Sequence, residues 1–284
     1  MKSFEYYKPR SLEEVWELKE KIPEALFIAG GTDVMVGIHK GEINPPALIS
    51  LRSIPELNSI EPGETTRIGA MATVSDLIHH SSMPCKFPIL VEAAKKMGSP
   101  QIRNVATIGG NLCNCSPCAD LALPLLVLEA RVRLQSIQGS RVIPLDDFFV
   151  GPGNSCITPY EILTDIFLES VLPNTKTAFL KKGRVKMDLA VVNIAVLLEM
   201  EEERCLKARV AAGSVAHVPL RLSKVETLLE NASISEKIIQ EAQALALDCV
   251  SPITDVRGTE EYRREIVSVY IKRALKKALE WSEA

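Results

Sequence analysis

The sequence predicts an α+β fold, with strands and helices mixed along residues 1–172 and strands followed by helices after that. Two patterns indicate this order. Alternating apolar residues are typical of strands, and apolar residues three or four positions apart are typical of helices. The chain of 284 residues is 46% hydrophobic and 24% charged, so it has ample apolar material for a core.

The first predicted elements are one helix and two strands. Ser11 is suited to cap a helix at residues 12–21, and Glu14 completes the capping-box pattern three positions later. Short apolar runs at residues 26–29 and 47–50 predict strands. A pair of adjacent glycines follows the first of these strands, so we expect a tight turn there.

The middle of the chain alternates between strand and helix patterns. We expect strands at residues 66–70, 131–135, 141–144 and 162–171. Thr73 or Ser75 could cap a short helix that runs to residue 79, and longer helices are expected at 87–97 and 121–130. Gly98 follows the helix at 87–97, in the position where glycine commonly ends a helix.

The last part, from residues 173–177 onward, predicts a hairpin and then helices. Residues 190–199 form an apolar strand, and residues 206–214 alternate as its hairpin partner. Helical spacing follows at 220–229, 234–247 and 259–281. In the last helix we expect the apolar face to be formed by Tyr262, Ile266, Val269, Ala274 and Ala278.

Composition excludes several classes of function. The net charge is -3 without a basic stripe, so we expect no nucleic-acid binding. The longest apolar runs, 121–128 and 189–198, are shorter than the ~20 residues of a membrane span, and residues 1–10 do not resemble a signal peptide. Seven cysteines, an odd number, do not indicate a disulfide framework. A cytoplasmic location is therefore predicted.

The first glycine loop, residues 28–34, is the first candidate binding site. Its two glycines permit a positive φ and a close approach of ligand to backbone, and successive N–H groups in such a turn form an anion site. Phosphate or pyrophosphate is the natural ligand, although a plain tight turn is the commoner explanation for this pattern alone. No Rossmann or Walker pattern is present. The residues of this loop are Ile28, Ala29, Gly30, Gly31, Thr32, Asp33 and Val34.

The second glycine loop, residues 107–111, repeats the pattern with Thr and Asn beside a glycine pair. Asp120 follows it, just before the apolar run at 121–128. Two such loops in one chain indicate a long ligand that lies across both, and a dinucleotide has that shape. The residues of this loop are Thr107, Ile108, Gly109, Gly110 and Asn111.

The chain resembles the FAD-binding medium subunits of molybdenum hydroxylases, a family that includes carbon monoxide, xanthine and aldehyde dehydrogenases. The motifs that carry the resemblance are 29–33 (Ala-Gly-Gly-Thr-Asp), 101–111 (Gln-Ile-Arg-Asn-Val-Ala-Thr-Ile-Gly-Gly-Asn), 119–120 (Ala-Asp), 187–190 (Met-Asp-Leu-Ala), 255–258 (Asp-Val-Arg-Gly) and 262–264 (Tyr-Arg-Arg). They span essentially the whole chain in family order.

The resemblance implies a domain organisation. A two-part FAD-binding domain of the vanillyl-alcohol oxidase/PCMH type would be followed by a C-terminal domain of β-strands and three helices. The expected boundaries are residues 1–55 and 56–174 for the two FAD-binding parts and 175–284 for the C-terminal flavoprotein domain.

The resemblance also implies a role for each site residue. The first glycine loop would hold the FAD pyrophosphate, and the second would lie near the pyrophosphate, ribityl chain and flavin. Asp120 would contact the adenosine half, and Met97 and Leu163 would line the cofactor, although both would suit a core equally well. Lys181 matches a basic position near the flavin. A solvated charge is an equal alternative for Lys181, and its neighbours Lys182 and Lys186 are close enough to take that position.

The function implied is electron transfer. Electrons from 2Fe–2S clusters of a small subunit would pass through FAD to an external acceptor, while a large molybdopterin subunit oxidises the substrate. An (αβγ)2 assembly is expected, and neither a catalytic residue nor a metal ligand is predicted on this chain. The alternative is a flavin-binding scaffold or interaction module without turnover. A self-contained flavin oxidoreductase is not supported, because the chain has the C-terminal region of the electron-transfer family in place of a substrate domain.

Three cysteines, Cys113, Cys115 and Cys118, follow the second glycine loop. Iron–sulfur clusters usually take four cysteine ligands, so these three would need a fourth from elsewhere. We favour reduced thiols in a tight loop over an additional cluster.

Overall fold

The structure is a computed structural model, and it describes residues 3–281. The predicted α+β fold is confirmed. Residues 1, 2 and 282–284, at the ends of the predicted first and third domains, lie outside the described residues. The domain boundaries after residues 55 and 174 stay a prediction. Among residues 3–281, none of the helices is long and apolar enough to cross a membrane.

The N-terminal part is a parallel three-stranded sheet with two helices. Its elements are β1 (Glu5–Tyr7), α1 (Leu12–Lys21), β2 (Leu26–Ile28), α2 (Val34–Lys40) and β3 (Ala47–Ser50). The strand order is β1-β3-β2, so β3, buried throughout, is the central strand. The predicted helix and both predicted strands of this part are confirmed.

The middle part is an antiparallel five-stranded sheet of order β4-β5-β10-β6-β7 with a small two-stranded sheet, β8-β9. Its strands are β4 (Ile60–Glu61), β5 (Thr65–Gly69), β6 (Arg131–Ser136), β7 (Gly139–Pro144), β8 (Phe149–Gly151), β9 (Asn154–Ser155) and β10 (Ile162–Glu169). Its helices are α3 (Val74–His79), α4 (Met83–Lys86), α5 (Pro88–Lys96), α6 (Pro100–Arg103), α7 (Ile108–Cys113) and α8 (Ala122–Val127). Every residue of α8 is buried, as its apolar sequence predicts.

The C-terminal part is an antiparallel four-stranded sheet of order β11-β12-β13-β14 followed by three helices. Its elements are β11 (Thr175–Lys182), β12 (Val192–Glu201), β13 (Arg204–Gly213), β14 (Leu220–Arg221), α9 (Ser223–Leu229), α10 (Glu236–Cys249) and α11 (Glu260–Ala278). The predicted hairpin is confirmed as β12 and β13.

Strand β12 is buried on both faces, which explains its apolar centre. Ala195 and Leu197 belong to the core that contains α8. Ile194, Val196 and Leu198 belong to the core formed with α9, α10 and α11. The C-terminal sheet therefore packs between its own helices and the middle part of the chain.

Glu129, directly after α8, links the middle part to the C-terminal sheet. Its carboxylate accepts hydrogen bonds from Lys207 Nζ (2.6 Å) and Arg209 Nε (2.7 Å) of β13. Burial acts against ionisation, but these two cations outweigh it and lower the pKa of Glu129 to about 2. The carboxylate is therefore ionised wherever the protein is folded at ordinary pH.

One sequence prediction about this part is wrong and another is only partly right. Residues 220 and 221 are strand β14, and the helix predicted from residue 220 begins at Ser223. In α11 the predicted face is right at Ala274 and Ala278, which are buried, but Tyr262 is 37% and Val269 40% exposed while Val267 and Ile271 are fully buried. The strand β11, which carries five lysine or threonine side chains at its ends, was not predicted at all.

The N-terminal half of the α11 face was misassigned because a buried position there is occupied by Arg263, which is only 1% exposed. Its guanidinium donates hydrogen bonds to the carbonyl oxygens of Val191 (3.1 Å) and Ser214 (2.9 Å) and to Asp255 Oδ1 (2.6 Å). A charged residue occupies a core position here, so a prediction based on the spacing of apolar residues does not assign it to the core. Arg263 joins α11 to the ends of β12 and β13.

Replacement of Arg263 by Met should lower the free energy of unfolding by about 3–5 kcal/mol, because two buried carbonyl oxygens lose their donor and Asp255, which keeps Arg257, loses one of its two cations. Urea unfolding followed by circular dichroism measures this change. Lys237→Met, at a side chain that is 86% exposed, is the control and should change stability by less than about 0.5 kcal/mol. Equal stability of the two variants would contradict the structural role of Arg263.

Candidate functional site

A cleft of about 500 Å³ lies between the two glycine loops and a third segment before β10. This volume is in the range of ligand-binding clefts, about 300–1,000 Å³. Most residues predicted for the site line the cleft: Ala29, Gly30, Gly31, Thr32, Asp33, Val34, Met97, Thr107, Gly109, Gly110, Asn111 and Leu163. Residues that are far apart in the sequence are thus brought to one place.

The first glycine loop connects β2 to α2 and leaves a row of backbone donors without acceptors. Gly31 has φ +76°, a conformation that favours glycine. The N–H groups of residues 30–34 form no hydrogen bond to another described residue, and Asp33 does not cap α2 with its side chain. Five consecutive unpaired amides on the wall of a cleft are suited to bind an anion.

The two glycine loops touch each other through glycine. A Cβ atom on Gly30 would lie 2.0 Å from the carbonyl oxygen of Val105, just before the second loop. A Cβ on Gly109 would lie 2.6 Å from Cβ of Ala70. These glycines therefore have a packing role that the sequence pattern alone does not reveal, in addition to any contact with a ligand.

The second glycine loop uses its own backbone donors within the protein. Ile108 N donates to Ala72 O (3.0 Å) and Gly109 N to Ala70 O (2.8 Å), while Gly110 N donates to Thr107 Oγ1 (3.0 Å). The second loop therefore offers a ligand its side chains and not these backbone amides. Asn111 Oδ1 is buried at the cleft and has no hydrogen-bond partner among the described residues.

Four predicted site residues do not line the cleft. Ile28 and Ile108 are 7% and 0% exposed and belong to apolar clusters behind the loops. Asp120 and Lys181 form an ion pair of 2.6 Å, with side chains 4% and 5% exposed. Leu163 lines the cleft and belongs to the core as well, so both explanations for it apply.

The Asp120–Lys181 pair joins the middle part to the C-terminal sheet. Asn193 Nδ2 donates to Asp120 Oδ1 (3.1 Å), and Lys181 Nζ donates to the carbonyl oxygen of Lys96 (3.2 Å), next to the cleft residue Met97. Burial raises the pKa of Asp120, and Lys181 acts in the opposite direction. The solvated alternative for Lys181 is wrong. Asp120 was expected at the adenosine half of the ligand and Lys181 near the flavin. In the structure they contact each other, behind the part of the cleft wall that contains Met97.

A third wall of the cleft, the outer loop of residues 155–162, was not found from the sequence. Glu161 of this loop accepts hydrogen bonds from Arg141 Nε (2.7 Å) and Nη2 (2.9 Å) of β7 and from Thr158 N (2.9 Å). The hydrogen bonds from Arg141 lower the pKa of Glu161 to about 2. The sequence contains no local signal for this contact because the two residues are far apart in the chain. The outer-loop residues at the cleft are Ser155, Ile157, Thr158, Pro159, Glu161 and Ile162.

Comparison with known proteins identifies the family of the chain. Residues 2–169 match the model of the FAD binding domain in molybdopterin dehydrogenase, and residues 177–278 match that of the CO dehydrogenase flavoprotein C-terminal domain. The chain belongs to the FAD-binding medium subunits of the molybdenum hydroxylases. The family predicted from the sequence motifs is thereby confirmed.

Individual relatives of this FAD-binding subunit cover nearly the whole chain. The carbon monoxide dehydrogenase medium chain of Afipia carboxidovorans is 32% identical over 278 residues, 97% of this chain and 96% of the relative. The xanthine dehydrogenase FAD-binding subunit of Escherichia coli O157:H7 is 29% identical, with 96% and 95% covered. A solved carbon monoxide dehydrogenase of Hydrogenophaga pseudoflava, which lacks the Mo-pyranopterin moiety of its cofactor, matches with a TM-score of 0.96 at 31% identity and 98% coverage of both chains.

The cleft fits FAD on two structural observations. The unpaired amides of residues 30–34 provide donors for a pyrophosphate, and the buried oxygen of Asn111 lacks the donor that a polar group of a cofactor would supply. The open polar groups and apolar walls of the cleft are therefore suited to FAD.

The three cysteines after the second loop have different surroundings. Cys113 lines the cleft and is exposed, whereas Cys115 and Cys118 are buried. Cys115 Sγ lies 3.3 Å from the carbonyl oxygen of Leu112, and burial raises the pKa of Cys115 to about 11. Within the described part of the chain, no group of three or more His, Cys, Asp or Glu side chains could hold a metal ion.

Replacement of Gly30 by Ala should weaken FAD binding by about tenfold or more, because a clash with the Val105 carbonyl must separate the loops. Flavin content of the purified subunit and FAD titration measure the effect. Gly151→Ala is the matched control, since a Cβ there meets no atom within 4 Å. Full FAD occupancy in Gly30→Ala would contradict the contact between the loops.

The Glu161–Arg141 pair should make the outer loop sensitive to acid. The pKa of Glu161 is lowered on folding, so the pair stabilises the fold fully above the unfolded pKa, about 4.3, and loses this effect as pH falls toward about 2. Glu161→Gln should cost about 1–2 kcal/mol at pH 7, after allowance for the half-exposed Arg141.

Urea unfolding of wild type and Glu161→Gln between pH 7 and pH 3 checks this dependence. The stability difference should be constant down to about pH 5 and shrink below that. A difference that grows as the pH falls would show that the sign is wrong.

Proposed function

We propose that this chain is the FAD-carrying electron-transfer subunit of its complex. It receives electrons from 2Fe–2S clusters of a small subunit and passes them to an external acceptor. The observation that carries the proposal is the row of unpaired amides at residues 30–34, which lies in a cleft between apolar walls. Such a row is suited to a pyrophosphate and has no role in the hydrogen bonding of the chain itself.

The proposed placement of FAD follows from the polar groups that the cleft leaves open. The pyrophosphate lies on the first glycine loop, and the ribityl chain and flavin extend along Thr107 and Asn111 of the second. Met97 and Leu163 provide apolar contact. Asp120 and Lys181 support the wall at Met97 from behind.

FAD supplies the redox chemistry when bound, because a flavin can take up electrons singly and release them as a pair. The residues of this chain bind the cofactor and orient it. Asn111 and the amides of the first loop hold polar groups of FAD, and the outer loop forms one wall of the cleft. No general acid or base is required on this chain.

The proposed partners are a large molybdopterin subunit and a small 2Fe–2S subunit in an (αβγ)2 assembly. The medium chains among the relatives support the existence of a multi-subunit complex. We also propose a cytoplasmic location, which is supported by seven cysteines that form no disulfide in the structure.

The alternative, a flavin-binding scaffold without turnover, predicts that the flavin takes up no electrons from the clusters of the small subunit. In the complex, small subunit that has been reduced with dithionite and then desalted should bleach the visible flavin absorbance of this chain under anaerobic conditions. The matched control is the complex reconstituted with Gly30→Ala without added FAD, in which the clusters should stay reduced because no flavin takes up their electrons.

Bleaching by the reduced small subunit would support electron transfer. If all three subunits co-elute in gel filtration and the flavin stays oxidised, the scaffold alternative holds and the proposed function is wrong. A purified complex that contains no flavin at all would contradict FAD binding itself.

A further inference from the structure

A buried lysine on the wall of the cleft belongs to no motif of the sequence. Lys19, in helix α1, is 8% exposed and lines the cleft together with Ala25, Phe27 and Leu51. Its ammonium donates hydrogen bonds to the carbonyl oxygens of Pro23 (2.7 Å) and Ala25 (2.8 Å) in the turn between α1 and β2. A buried lysine beside an open cleft calls for an explanation, since lysine is almost never buried without a partner.

The protein satisfies this ammonium only in part. A lysine side chain has three N–H donors, and the two carbonyl oxygens account for two of them. No carboxylate of residues 3–281 lies within 4.0 Å of Lys19 Nζ, and Glu24 acts on the ammonium only from a longer distance. Burial correspondingly lowers the pKa of Lys19. An acceptor on a bound ligand would use the remaining donor.

The surroundings of Lys19 indicate the kind of group that it meets. Its Nζ lies 5.3 Å from the centre of the Phe27 ring, which also lines the cleft. This part of the cleft therefore combines an apolar aromatic surface with a cationic hydrogen-bond donor. A heteroaromatic base, or the ribose attached to it, offers both a flat apolar face and acceptor atoms.

The position of Lys19 relative to the loops identifies which half of FAD it can reach. The first glycine loop lies at the end of β2, and Lys19 and Phe27 lie on the α1 and β2 side of that loop. Thr107 and Asn111 of the second loop form another part of the lining. With the pyrophosphate on the first loop and the flavin along the second, the adenosine half extends toward Lys19.

We propose that Lys19 binds the adenosine half of FAD, donating its third N–H to an acceptor atom of the base or ribose. Phe27 provides the apolar surface beside it. Lys19 thereby makes the cleft selective for the dinucleotide FAD over FMN, which has no adenosine. This inference rests on the proposed placement of FAD in the cleft.

Substitution Lys19→Met tests the inference by comparing two flavins on the full chain freed of its cofactor. FAD binding should weaken about tenfold or more, because a hydrogen bond to a charged group is lost, and FMN binding should stay within about twofold of wild type. Titration followed by flavin fluorescence measures both affinities. Lys21→Met, on the same helix with a side chain 71% exposed, is the control and should change neither.

The ratio of the two affinities separates binding from a merely structural role. If Lys19 only holds the turn between α1 and β2, Lys19→Met should weaken FAD and FMN alike, and the inference is wrong. Unchanged FAD affinity would also overturn it. Lys19→Arg, which keeps the charge, should recover part of the FAD affinity. Wild-type chain that binds neither flavin would contradict the proposed function instead.

Discussion

The site depends on the direct backbone contact between the first glycine loop and the segment that leads into the second. Gly30 lies against the Val105 carbonyl so closely that even a methyl group has no space. This contact fixes the distance between the N-terminal part, which carries the first loop, and the middle part, which carries the second. A ligand that spans both loops finds their spacing already determined by packing, so the backbone does not have to close around it.

The two loops look alike in sequence and differ in what they offer a ligand. The first keeps five amides free, whereas the second uses its amides to bind the strand end at residues 70–72 and its own threonine. The first loop is thus suited to bind an anion, whereas the second is held by its own hydrogen bonds and presents side chains. The C-terminal sheet is joined to the middle part by the buried Asp120–Lys181 pair. Glu129, next to α8, joins the same two parts through its hydrogen bonds from β13.

Much of this arrangement could be predicted from sequence because the informative residues are contiguous. Glycine pairs with polar neighbours mark both loops, and the long motif at 101–111 specifies the family. Contacts between distant residues leave no such mark: the Glu161–Arg141 pair and the buried Lys19 were missed. Arg263 misled the prediction of the α11 face, because a charged residue in a core position removes one member from the apolar pattern. The strand β11 was missed since lysines and threonines dominate it and only Ala178 and Phe179 are fully buried.

The packing of the first loop has a consequence for the way it would hold an anion. The loop is held by glycine packing and by the flanking β2 and α2. The direction of its free amides is therefore set by contacts within the chain, and an anion that binds there does not have to order the turn itself.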